Sequence, residues 1–196
     1  MRWMPEILYR FRRVCPHIDV DLRTVDHELE PFELLEKWQT DVIFAARQSG
    51  FACDWTPLHD DAMYAILPAD YPTNGRDFFP IEAFAGKEFL MPYGRFDIDV
   101  NAALSPKGVR PQIRPCHVDD ETVIRMVSKG LGVSITSRIA AEDYARFGLL
   151  LIFDLKSEFL KRKFYFVYHK DRPLSPAAEA FMKFARDYFE QHPEKA

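Results

Sequence analysis

Arg95 stands in the run Pro92-Tyr93-Gly94-Arg95-Phe96. A guanidinium there can clamp a carboxylate through two parallel hydrogen bonds. Tyr93 and Phe96 would give a ligand apolar walls, and Gly94 would give the backbone freedom to approach it. A second candidate group is Asp26 and His27, which end the run Thr24-Val25-Asp26-His27. Ala46 and Arg47, Val118 and Asp119, and Thr136 complete the set of ligand-facing candidates. Each has a plainer alternative. His27 reads more readily as a surface histidine, Arg95 equally as an ion-pair partner of Asp97, and Asp119 with Asp120 more readily as the cap of a helix.

The same residues argue against bond-making chemistry. The sequence has no GxSxG, HExxH, P-loop or GxGxxG pattern. Adjacent acids such as Asp119 and Asp120 rarely converge on one metal or substrate. Cys15, Cys53 and Cys116 are odd in number, far apart and without a CxxC pair, so free thiols are expected rather than a disulfide framework or zinc site. No catalytic residue, metal or cofactor is expected.

The candidates share a position in the pattern of elements. Residues 4 to 14 carry Ile7, Leu8, Phe11 and Val14 at helical spacing, and Cys15-Pro16 stops that helix. Ile18 to Leu22 alternates as a half-buried strand does. A helix is expected from Pro31 to Trp38. Asp41 to Ala46 is an apolar run of the kind found in parallel sheets covered on both faces. Ala62 to Leu67 is a further strand, and Tyr71 to Arg76 is rich in turn residues. A short helix near Ile81 to Phe84 precedes a strand at Glu88 to Met91. A helix from Ile98 to Leu104 and a strand from Gln112 to Val118 follow. Asp119 caps a helix stopped by Gly130, Val133 to Thr136 is a strand, and Ser137 caps a helix that ends near Gly148. Strands at Leu149 to Phe153 and Lys163 to His169 come next. Ser175-Pro176 starts the last helix, whose apolar face holds Phe181, Phe184, Ala185 and Tyr188. In open α/β sheets ligands sit at the carboxyl ends of strands, beside helix N-termini. That rule selects the loops that contain the candidates.

Composition is consistent with this reading. Hydrophobic residues are 47% and charged residues 29% of 196, which a globular α/β class accommodates. A net charge of −4 lacks the basic footprint of a nucleic-acid-binding surface. Charges interrupt every apolar stretch of MRWMPEILYRFRR, so no secretory signal is read, and a cytoplasmic location without membrane contact is expected.

The order of the pieces resembles the effector-binding domain of LysR-type transcriptional regulators. In that family the first helix ends in a pattern like FRxxYPxIxLxL, and Phe11-Arg12-Arg13-Val14-Cys15-Pro16-His17-Ile18-Asp19-Val20-Asp21-Leu22 stands in its place. Thr40-Asp41-Val42-Ile43-Phe44 matches the next strand. Ile66-Leu67-Pro68-Ala69-Asp70-Tyr71-Pro72 matches VxPxxHPL, with Tyr71 for the usual His. Met126-Val127-Ser128-Lys129-Gly130-Leu131-Gly132-Val133-Ser134-Ile135-Thr136-Ser137 matches V-xx-G-LGI-xxx-P, with Ser137 for the proline. Tyr165, Tyr168, Lys170, Leu174-Ser175-Pro176-Ala177 and Phe181 meet the closing pattern.

The resemblance implies an α/β, two-lobed periplasmic-binding-protein-like (type 2) fold with two crossing strands as hinge. The first lobe would be 1–67 plus 165–196 and the second 68–164, with a small-molecule effector, such as an organic acid or amino-acid-like metabolite, bound between them. It also implies a homodimer or homotetramer. Residues 4 to 14 and about 97 to 105 or 122 to 129 are the interface candidates, and DNA would be reached only through an N-terminal winged helix-turn-helix outside this sequence. In the family a strand and a hydroxyl-rich turn precede the first helix, whereas this sequence opens inside the helix. Their slot is left to a missing segment or a neighbouring chain. The alternatives are a solute-binding protein of a transporter, which would carry a secretory signal, and an enzyme on the same fold.

Overall fold

The computed structural model describes residues 3–25, 30–46, 50–92, 100, 104–156 and 161–192, with backbone alone at 46, 106, 161 and 162. The chain divides into two compact units. The first comprises Met1–Asp60 with Lys163–Ala196, and the second Asp61–Arg162.

In the first unit, α1 (Met4–Val14) has Pro5 in its opening turn, Glu6 beside the helix N-terminus, and Arg12 and Arg13 near its C-terminus. This charge order complements the helix dipole. Ile7 and Phe11 are buried, and Phe11 packs edge-on against Phe181 and Phe184 of α5 (Pro176–Gln191) at 5.2 and 5.4 Å. The Ser175 side chain accepts the backbone N–H of Ala178 at 3.1 Å and so starts α5, as its Ser-Pro pair predicts. Val14, expected on the buried face of α1, is instead 65% exposed, because it lies in the final turn just before the chain leaves at Cys15.

The sheet of this unit holds β1 (Ile43–Ala46), β7 (Lys161–His169) and the first half of β2 (Cys53–Pro68), in the order β1-β7-β2. β1 runs antiparallel to β7, with Ile43 opposite Val167. The parallel neighbour expected for this apolar run is not what pairs with it. Its apolarity has another cause, since both faces are covered. Ile43 packs with Phe32 and Leu35 of α2 (Glu30–Glu36). Phe44, on the opposite face, stacks on Phe164 at 4.6 Å and meets Trp3 at 4.8 Å. The alternating segment Ile18 to Leu22 forms no strand: no ladder hydrogen bonds join it to the described residues, and Leu22 is 47% exposed. Alternation gives a strand its two faces, but backbone pairing needs a partner, and none of the described residues supplies one.

In the second unit β2 runs between β5 (Ser134–Ser137) and β6 (Leu150–Asp154), and a two-stranded ladder of β4 (Gln112–Pro115) and β3 (Glu88–Met91) adjoins β5. β3 and β4 are parallel, with Met91 opposite Pro115. β3 joins β5 through a parallel bridge at Phe89 and Val133, closed by hydrogen bonds of 2.9 Å from Leu90 N to Val133 O and from Val133 N to Glu88 O. β2 is antiparallel to both β5 and β6.

One face of the sheet carries Phe79, Phe84, Phe89, Met91 and Ile135, which are all buried. The other carries Ile66, Leu90 and Leu150 under α3 (Asp120–Ser128) and α4 (Arg138–Arg146). Burying a large apolar side chain contributes about 1.5–3 kcal/mol, so these two layers dominate the unit's stability. The expected short helix at Ile81 to Phe84 is a single 3-10 turn. The expected helix at Ile98 to Leu104 falls mostly outside the described residues.

Candidate functional site

The carboxyl ends of three parallel strands lie side by side in the second unit. β3 ends at Met91, and Cys116, just past β4, donates its N–H to Met91 O at 2.7 Å. On the other side the buried Ser134 hydroxyl donates to Leu90 O at 2.7 Å and holds β5 against β3. The chain therefore delivers Val118, Asp119 and Thr136 to one edge of the sheet, where α3 and α4 begin.

Gly132 allows the approach that makes this edge. Its φ is +155°, and a Cβ there would lie 2.7 Å from the Glu88 carbonyl oxygen and 3.0 Å from Leu90 Cγ. Only glycine lets Val133 reach its bridge with Phe89.

Thr136 is buried at 6% exposure, one residue before the end of β5. Its neighbour Ser137 is the N-cap of α4 and accepts the Ala140 N–H at 3.3 Å. Asp119 is the N-cap of α3 and accepts the Thr122 N–H at 2.8 Å. Hydrogen bonds from Thr122 hold its carboxyl below the ordinary carboxylate range. That oxygen is engaged by the protein, as the capping alternative expects. Val118 is half-buried beside it.

Ala46 ends β1 in the first unit. Asp26, His27, Arg47, Tyr93, Gly94, Arg95 and Phe96 lie outside the described residues.

Beyond the cap, α3 and α4 are tied by an exposed cluster. Tyr144 donates its hydroxyl to Glu121 at 2.7 Å, and Arg125 Nε donates to the Tyr144 oxygen at 3.0 Å. The acceptor Glu121 pushes the Tyr144 phenol above its ordinary value. Sequence reasoning did not single out Ser134 or this cluster. Ser134 lies in a short strand whose pattern says only that it is buried, and the cluster joins residues far apart in sequence. Among the described residues no group of three or more His, Cys, Asp or Glu could hold a metal ion. None of their helices is long and apolar enough to cross a membrane.

Parallel strand ends backed by helix N-termini, in a sheet crossed by the antiparallel β2, define a ligand-binding α/β domain of the periplasmic-binding-protein-like (type 2) class. The family model for the LysR substrate binding domain matches residues 1–190, and the chain belongs to that family. It is 21% identical over 191 residues to YybE, an HTH-type transcriptional regulator of Bacillus subtilis, covering 96% of this chain and 64% of that protein. It is 23% identical over 185 residues to the HTH-type transcriptional regulator CbbR of Sinorhizobium medicae, covering 92% of this chain and 58% of the relative. The chain thus spans about three fifths of these regulators' lengths. Among solved structures, the regulatory domain of CcmR from Synechocystis, in complex with 2-PG, superposes with a TM-score of 0.82 at 20% identity. That match covers 95% of this chain and 91% of the other. The resemblance to a LysR effector domain is thus borne out, and so is the fold it implied.

Proposed function

We propose that this domain senses a small-molecule effector, an organic acid or amino-acid-like metabolite, and transmits its binding to the DNA-binding part of a LysR-type regulator in the cytoplasm. The observation that carries the reading is the edge formed by Met91, Cys116 and Thr136 in the second unit. There, polar backbone groups at strand and helix ends adjoin a buried hydroxyl. Helix N-termini at such an edge attract an anionic or polar ligand. Val118, Asp119 and Thr136 hold the ligand in this reading. Arg95, with Tyr93, Gly94 and Phe96, adds the carboxylate clamp and walls in the same proposal, and Asp26, His27, Ala46 and Arg47 stay further candidate contacts. A ligand that favours one arrangement of the domain shifts the population toward it, and no bond is made or broken in the ligand.

The active species is a homodimer or homotetramer that uses the outer face of α1, where Tyr9 is 61% and Val14 65% exposed.

The test is a thermal-shift screen of the chain against organic acids and amino acids at neutral pH. A ligand at a hundred times its Kd adds about 2.7 kcal/mol to stability. Thr136→Val removes the hydroxyl at constant shape and is expected to abolish the gain from the best compound. If the variant keeps the full gain, the placement of the ligand at this edge is wrong.

A further inference from the structure

We propose that the second unit carries another ligand site, built for a compact aromatic carboxylate, in a cavity bounded by the turn after β2, the 3-10 turn and β6. The cavity has a volume of about 220 Å³. That lies below the roughly 300–1,000 Å³ typical of drug-sized pockets, so it suits a small, flat molecule. None of Ala46, Val118, Asp119 or Thr136 lines it, so it is separate from the edge described above.

Its walls are aromatic: Tyr71, Phe78, Phe79 and Phe153. Phe79 is buried and packs edge-on against Tyr71 at 5.9 Å, which makes a preformed wall. Phe78 is 37% exposed, and a ligand ring would cover it. Stacked or edge-on ring contacts favour an aromatic occupant over an aliphatic one of equal size.

Its charges are all of one sign. Arg76 and Lys87 line the cavity, and no carboxylate does. The Lys87 ammonium lies 5.7 Å from the centre of the Tyr71 ring, and Lys156 lies 4.4 Å from that of Phe78. Arg76 makes no side-chain hydrogen bond or ion pair among the described residues. The acids beside lining residues in sequence, Asp70, Asp77, Glu82, Glu88 and Asp154, lie outside the lining; Glu82 pairs with Lys107, Glu88 with Arg114, and Asp154 accepts the Lys156 backbone N–H at 2.7 Å. Two cations at an apolar mouth, with a guanidinium left free, match a planar carboxylate attached to a ring.

Asn74 and Gly75 adopt successive positive φ values of 51° and 71°, and the Arg76 N–H closes the turn on Thr73 O at 3.2 Å. The turn thereby places Arg76 at the rim.

The experiment titrates phenylacetate into the ¹⁵N-labelled 196-residue chain and follows amide shifts. Saturable shifts are expected between Tyr71 and Lys87 and at Phe153. The neutral analogue 2-phenylethanol is expected to bind at least about ten-fold more weakly. Combined Arg76→Gln and Lys87→Gln changes two exposed side chains and is expected to weaken phenylacetate by a similar factor with an unchanged melting temperature. Absence of saturable shifts at millimolar phenylacetate would overturn the proposal, as would unchanged affinity in the double variant. Shifts confined to Val118, Asp119 and Thr136 would also overturn it while leaving the effector edge intact.

Discussion

Replacing Gly132 with alanine tests how the sheet of the second unit is closed. The new Cβ would stand 2.7 Å from the Glu88 carbonyl oxygen, where even a weak C–H···O contact needs about 3.3–3.6 Å. The obstacle is backbone, so no side-chain rotation relieves it. Either β5 withdraws, opening the 2.9 Å bond from Val133 N to Glu88 O, or residue 132 leaves its φ of +155°. A non-glycine residue held in such a region costs about 1–3 kcal/mol, and overpacking a filled site costs about another 1–3 kcal/mol. Gly132→Ala should therefore lose at least about 2 kcal/mol. For a chain of this size that lowers Tm by about 4–8 °C. Gly130→Ala is the control: its φ is +77°, but nothing lies within 4 Å of a Cβ there. It should lose only the left-handed backbone cost, about 1–2 kcal/mol. Circular-dichroism melts of both variants make the comparison. Equal Tm losses in the two would refute the close-approach argument, because the strained backbone alone would then explain both.

Three further outcomes are expected. His59 is buried, stacked on Phe189 at 4.7 Å, and its Nδ1 has no hydrogen-bond partner among the described residues. Burial lowers its pKa from the ordinary 6.5, with Asp60 opposing weakly. The unfolded chain therefore takes up this proton first, so stability is complete above about pH 6.5 and falls as the pH drops toward the folded-state value. Urea titrations at several pH values should show this slope, and His59→Phe should flatten it; an unchanged slope in the variant would assign the acid sensitivity to other groups. Asp119→Ala should lose about 0.5–2 kcal/mol through its cap, read as a lower urea midpoint with the m-value unchanged, whereas Asp119→Ser should recover most of it. Ser134→Ala leaves the Leu90 carbonyl without its hydroxyl donor and should lose about 1–3 kcal/mol; faster amide exchange at β3 would locate the damage, and native protection there would contradict the role given to Ser134.

Much of the second unit was legible because its signals are local. The β3 bounds Glu88–Met91, the caps at Asp119 and Ser137, and the stop at Gly130 depend on residues within a few positions of one another. β2 shows the opposite case. Its second half is apolar and reads as a strand, but the strand starts at Cys53 and runs through Asp54-Trp55-Thr56-Pro57. Those residues have the composition of a loop. They are extended because β7 pairs with them, and Thr56 and Tyr168, far apart in sequence, meet at 3.4 Å. The error at Ile18 to Leu22 is the converse, a correct face pattern without a partner.

At the candidate site, the sequence indicated which loops matter better than it indicated what each residue does there. Asp119 shows why, since its side-chain oxygens suit a cap and a ligand alike, and the Thr122 N–H at 2.8 Å establishes the cap without bearing on the ligand.

The division of the chain bears on the order in which the protein can fold during synthesis. The second unit is one uninterrupted stretch, Asp61–Arg162, whereas the first needs both Met1–Asp60 and Lys163–Ala196. A ribosome working at about 5–20 residues per second releases everything the second unit needs a few seconds before α5 exists. During that interval Phe11 has neither Phe181 nor Phe184 to cover it. The nascent first unit thus waits with its aromatic surface open while its neighbour closes. This predicts that chains stopped short of Pro176 engage chaperones through the α1 segment.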